Sequence, residues 1–217
     1  VFWIFLQILL SAHFLMAQQN KLGSILENLH DNRSKIKKLN LPMSQLKKAA
    51  ETAYNLDSFS VIFNSPIPPS GDKKDYLSWS PYIWPNEHSE DGLPYVHKDG
   101  KTNPETEKLS DKIILRQMAT AIHHLSLASY FLNEEKYAKK ALSLLNTWFI
   151  APETSMNPNL NFGQCAPGEE KGGAHGIIDS RWLVLLVDAL DILKAVGKID
   201  SYSDAAFIRW LNVYLHL

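Results

Sequence analysis

Glu105–Ile150, ETEKLSDKIILRQMATAIHHLSLASYFLNEEKYAKKALSLLNTWFI, is the stretch that decides the fold. Leu109, Ile113, Met118, Ile122, Leu125 and Tyr130 recur at helical intervals and can share a broad apolar face. Asn133 and Glu134 break the pattern, and it resumes over Lys136–Ile150 with Tyr137, Ala141, Leu144, Leu145 and Trp148. So short a polar connection predicts an antiparallel helical hairpin, with Lys136, Lys139 and Lys140 on its solvated side. A third long helix is read over Ile178–Val196 and a fourth from Asp204 onward. Consecutive helix pairs with loops gathered at one end predict an all-α fold, an incomplete (α/α) toroid of antiparallel helical hairpins with long irregular loops.

Upstream, Leu22, Ile25, Leu26, Leu29 and Ile36 space a helix over Lys21–Lys38 that Pro42 stops, and a short helix follows over Ser44–Tyr54. Between Ser65 and Asn103, Pro66, Pro68, Pro69, Pro81, Pro85 and Pro94 block any long helix and predict extended, irregular chain. The 217 residues are 45% hydrophobic and 21% charged, an ordinary globular balance that excludes fibrous and disordered classes. A formal net charge of -1 gives no global field for a polyanion, so nucleic acid is not expected as a partner. The single cysteine, Cys165, excludes an intrachain disulfide and reads as a small semi-buried side chain.

Val1–Leu15 is almost wholly apolar or small, and Leu15-Met16-Ala17 before Gln18-Gln19 has the form of a secretory cleavage site. Residues 1–17 therefore read as a signal peptide lacking its start, directing the protein to the periplasm or outside, with no stable membrane span after cleavage. The other end runs through Phe207, Ile208, Leu211, Tyr214 and Leu215 without a capping Gly or Asn, so an N-terminal fragment of a longer protein is expected. The division is then signal 1–17, N-terminal helices and linker 18–74, and a domain over 75–217 truncated at its C-terminus.

Between the second and third long helices lies the polar loop Met156–Arg181, which concentrates Asn157, Asn159, Asn161, Gln164, His175, Asp179 and Arg181 among Gly and Pro. Arg181 with the three Asn and Gln164 can line a cleft for an acidic sugar, because guanidinium binds carboxylate as a fork. Asp179 and Arg181 can equally be a helix-start pair, Asp being favourable there. His175, between glycines, can approach a ligand or hold a structural hydrogen bond. Tyr82 and Trp84 sit in a Pro-limited run of aromatics that suits a sugar-stacking wall, or else plugs one end of the helical array. No metal site is expected: there is no HExxH motif, and adjacent His123 and His124 point about 100° apart on a helix.

Several ordered motifs resemble the alginate lyase superfamily domain over roughly Asp75–Leu217. They are Tyr82-x-Trp84-Pro85, Asp91-Gly92-Leu93-Pro94-Tyr95, Asn103-Pro104-Glu105, Trp148-Phe149, Met156-Asn157-Pro158-Asn159-Leu160-Asn161-Phe162-Gly163-Gln164 and Gly176-Ile177-Ile178-Asp179-Ser180-Arg181. The resemblance implies an (α/α) toroid, export, and cofactor-free β-elimination on a uronic-acid polysaccharide, alginate or a related polyuronate. It implies that Asn157, Asn159, Gln164, His175 and Arg181 bind the substrate and neutralise its carboxylate so that the C5 proton becomes acidic. The main base and acid, an Asn-Asn-His-Gly motif and a following Tyr, are expected beyond Leu217, so the fragment itself is expected to be inactive. Lys171-Gly172-Gly173-Ala174-His175 departs from the Gly-Arg pair often found there. The competing readings are a toroidal glycoside hydrolase, for which Asp179 with Glu153 or Glu87 would supply the carboxylate pair, and a non-catalytic envelope glycan-binding protein.

Overall fold

The computed structural model describes residues 31–63, 66–108 and 111–216; the signal-like stretch 1–17 and most of the helix read over Lys21–Lys38 lie outside them. The chain forms two compact units, divided between Lys48 and Ala49. Residues 31–37 are helical, and α1 spans Asn40–Tyr54. Pro42, expected only to stop a helix, lies in the first turn of α1, where the missing N–H has no intrahelical partner to lose.

In the larger unit the hairpin is present. After α2 (Glu105–Lys108), α3 spans Asp111–Leu132 and α4 spans Glu135–Leu145. Asn133 adopts φ 59° between them, a left-handed conformation that Asn tolerates at a helix end. Met118, Ile122 and Leu125 of α3 are fully buried, as are Tyr137, Ala141, Leu144 and Leu145 of α4. Ala119, Ala121 and Ala128 are buried as well, because α3 packs on α5 (Leu183–Ala195) in addition to α4. Leu186, Ala189, Leu190 and Leu193 of α5 supply that second interface at helical spacing.

A π-helical turn, Asn146–Ile150, extends α4 and buries Trp148 and Phe149. Helix α6 (Ser201–Leu215) packs on this turn, with Phe149 edge-on to Phe207 at 5.1 Å and to Trp210 at 4.6 Å. Asp200 caps α6 by accepting from the Ser203 N–H at 2.8 Å, and α5 and α6 are joined through Gly197 at φ 62°. The larger unit is an all-α, toroid-like arrangement of successive helix pairs. Two of the lysines read as solvated are engaged: Lys136 pairs with Glu51 at 2.7 Å, and Lys140 donates to the Leu56 carbonyl at 2.5 Å. Lys139 remains exposed and pairs with Glu135 one turn away.

The loops hold more order than their composition predicts. β1 (Leu77–Trp79) pairs parallel with β4 (Phe162–Cys165), and β2 (Ile83–Trp84) pairs antiparallel with β3 (Val96–His97). Residues Ala174–Trp182 form a 3-10 helix, so the third long helix begins at Leu183 rather than Ile178. Among the described residues no helix is long and apolar enough to cross a membrane.

Candidate functional site

The polar loop is folded on three glycines. Gly172 donates to the Asn161 carbonyl at 2.7 Å, and a Cβ on Gly172 would stand 2.2 Å from the Gly163 carbonyl oxygen. A Cβ on Gly176 would stand 2.8 Å from the same oxygen. Only backbone without side chains can approach so closely, which folds the loop back on β4.

From Gly176 the three-residue period of the 3-10 helix sorts side chains. Gly176 and Asp179, one turn apart, are buried, whereas His175, Ile178 and Arg181 are exposed and share one edge. At about 2 Å rise per residue, His175 and Arg181 lie about 12 Å apart along that edge. The structure thus gathers both residues on one exposed face, too far apart to hold a single carboxylate together.

Asp179 points the opposite way and is 1% exposed. Its Oδ2 accepts from the Tyr76 hydroxyl at 3.1 Å and the Ser78 hydroxyl at 2.5 Å, and its Oδ1 accepts from Gln164 Nε2 at 3.3 Å. Gln164 adopts φ 49° where the β1–β4 register shifts, and its N–H donates to Ser78 Oγ at 2.8 Å. One buried carboxylate therefore ties β1, β4 and the 3-10 helix together, and three donors satisfy its charge. Asp179 is neither a helix-start partner for Arg181 nor a carboxylate free for hydrolysis. Burial, then the nearby Asp179 charge, pushes the Tyr76 hydroxyl well above the usual tyrosine range, so it is a fixed donor. The Tyr214 hydroxyl lies in the same neighbourhood, near Ser180 and Asp179, and burial, then the Asp179 charge, pushes its pKa above the usual tyrosine range despite an opposing contact with Ser180.

Asn157 and Asn159 converge, but on protein. Both amides donate to Asp75 Oδ1, at 2.8 and 3.1 Å, and Asn157 also donates to Asp72 at 3.0 Å. Ser70 closes the other oxygen of Asp75 at 2.7 Å. These amides thus hold the loop to the segment before β1. Asn161 is exposed, its backbone N–H accepted by Asn159 Oδ1 at 3.1 Å. Gln164 donates its side-chain amide to Asp179.

Tyr82 precedes β2 and Trp84 lies within it, opposite Val96 of β3. Tyr82 is 37% exposed and meets His97 edge-on at 5.8 Å. The Trp84 indole N–H donates to the Lys101 carbonyl at 2.9 Å, and the Lys98 ammonium stands 5.5 Å from its ring centre. Both rings keep solvent-facing surface, and Trp84 carries its own cation. Arg181 stands 4.8 Å from the centre of the Trp182 ring, and Arg116 of α3, which nothing in the sequence singled out, stands 6.0 Å from it. Burial raises the Cys165 thiol, which argues against a thiolate nucleophile. Among the described residues no group of three His, Cys, Asp or Glu side chains could hold a metal ion.

A model of the alginate lyase family matches residues 63–217. Among solved structures, an alginate lyase from Bacteroides ovatus aligns with a TM-score of 0.79 at 35% sequence identity, covering 86% of this chain. The chain spans about half of that protein, 51% of its length. No curated protein matches the sequence. The ordered motifs, the successive helix pairs and these two likenesses agree: the chain belongs to the alginate lyase family.

Proposed function

We propose that this chain is the substrate-holding part of an exported polysaccharide lyase that cleaves alginate or a related polyuronate by β-elimination. Family membership over residues 63–217 is the observation that carries the reading. The chemistry of the exposed edge supports it. Arg181 is exposed beside an aromatic ring and has no carboxylate within ion-pair distance among the described residues. Such a guanidinium is suited to a uronate carboxylate, and neutralising that carboxylate is what makes the C5 proton acidic. His175 extends the same edge toward a neighbouring sugar, and Tyr82 and Trp84 offer rings for stacking. The base and acid that complete elimination are assigned to chain beyond Leu217. Export to the periplasm or outside rests on the apolar run Val1–Leu15 and the Ala17 site.

A glycoside hydrolase is disfavoured on a specific ground, because Asp179 is buried under three donors and Glu87 is paired with Lys98 at 2.7 Å. The test is incubation of the full-length protein with alginate, glucuronan and heparinoid polymers, following the ultraviolet absorbance of the new C4–C5 double bond. Absorbance growth on at least one polymer is the expected result. Reducing ends released without that absorbance would refute elimination, and binding without turnover would select a glycan-binding protein.

A further inference from the structure

Trp182 ends the 3-10 helix and is half-buried where that helix packs on α3. Two guanidiniums approach its ring from different elements, Arg181 from the 3-10 helix itself and Arg116 from the first turns of α3. Both arginines are exposed, and among the described residues neither has a carboxylate within ion-pair distance. The carboxylate nearest Arg181 in sequence, Asp179, is turned inward and its oxygens are taken by Tyr76, Ser78 and Gln164. The Trp182 indole N–H is sealed from solvent and has no acceptor among the described residues, so the ring offers its cations no negative group.

Two like charges gathered on one ring repel each other and gain from an anion placed between or across them. A free surface arginine would extend into water; here α3 and the 3-10 helix hold two of them at a common ring, no farther apart than their two ring distances combined. A chain of acidic sugars carries a carboxylate on each residue, so a single such chain can offer an anion to each of the two guanidiniums.

We infer that Arg116 completes, with Arg181 and Trp182, a cationic clamp that grips two carboxylates of a polyuronate chain. The assignment rests on the lyase reading above and extends it to a residue on a different helix. Arg116 is a binding residue that sets preference for acidic over neutral chains, and it takes no part in proton transfer.

The experiment compares wild-type, Arg116→Gln and Arg116→Lys full-length proteins. One arm measures kcat and KM on alginate at low and high sodium chloride. The other measures retardation in native gels containing alginate or the neutral polymer hydroxyethylcellulose. Arg116→Gln is expected to raise KM roughly fivefold at low salt, with kcat within about twofold and the difference closing at high salt. Arg116→Lys, which keeps the charge and loses the fork, falls between. In the gels, Arg116→Gln loses retardation by alginate and keeps its mobility in the neutral polymer. Unchanged KM and unchanged retardation would overturn the clamp while leaving the lyase reading intact. So would an equal loss on the neutral polymer, which would make Arg116 a packing residue. If the wild type yields no unsaturated product, the lyase reading falls, and the alginate gels decide the clamp on their own.

Discussion

Replacing Asp179 with Ala tests whether one buried carboxylate holds the loop that carries the exposed edge. The substitution removes the acceptor for three donors: the Tyr76 hydroxyl at 3.1 Å, the Ser78 hydroxyl at 2.5 Å and Gln164 Nε2 at 3.3 Å. Tyr76 and Ser78 are each 0% exposed, so water cannot replace the lost acceptor without opening the packing. An unmet buried donor costs about 1–3 kcal/mol, so two of them give a loss of about 2–6 kcal/mol. Asp179→Asn keeps the shape and one oxygen acceptor, and the Gln164 amide can turn its oxygen to the new N–H, so about 1 kcal/mol is expected. Urea unfolding of the full-length protein, followed by tryptophan fluorescence, reads these values. A double-mutant cycle sharpens the test. Tyr76→Phe destabilises the wild type, but in the Asp179→Ala background it removes an orphaned hydroxyl and restores stability. An Asp179→Ala loss under about 0.5 kcal/mol, or a Tyr76→Phe effect of the same sign and size in both backgrounds, would refute the keystone role.

Gly172→Ala sets a Cβ 2.2 Å from the Gly163 carbonyl oxygen, a backbone atom that cannot yield. A lowered melting temperature is expected, reflecting about 3 kcal/mol or more, while Gly173→Ala, whose Cβ meets nothing within 4 Å, leaves melting unchanged. Burial, reinforced by the hydrogen bond to Glu51, pushes the Tyr137 hydroxyl from 10.0 up to about 12. The folded state thus holds a proton that the unfolded chain releases earlier, so this stabilisation is complete below pH 10.0 and disappears as the pH rises to about 12. The Glu51 hydrogen bond raises Lys136 in the same sense. Tyr137→Phe should therefore flatten the alkaline loss of stability, measured as unfolding midpoints against pH, without abolishing it, because Tyr76 is raised as well. Arg181→Gln should raise KM on a polyuronate about tenfold and leave the melting temperature unchanged, since the side chain is exposed. Equal activity of the variant and the wild type would remove Arg181 from the substrate contact.

The sequence by itself determined the helical hairpin. The apolar spacing of Met118, Ile122 and Leu125, the break at Asn133, and the buried set Tyr137, Ala141, Leu144, Leu145 and Trp148 are local properties, and local periodicity is legible without a partner. The ordered motifs from Tyr82 to Arg181 also sufficed for the family. Tertiary structure decided what the polar residues of the loop do. Asn157, Asn159 and Gln164 read as ligand-binding amides because their chemistry suits a carboxylate, and they do meet carboxylates, but those of Asp75 and Asp179. The partners lie 82 and 84 residues away for the two asparagines, and no spacing rule reaches that far. The same holds for Arg116, 65 residues before Arg181 in the numbering and drawn to the same ring by the packing of α3 on the 3-10 helix. Periodicity reports which face of a helix is apolar. Which donor finds which acceptor depends on chain segments far apart in sequence, and only the folded backbone brings them within hydrogen-bonding distance.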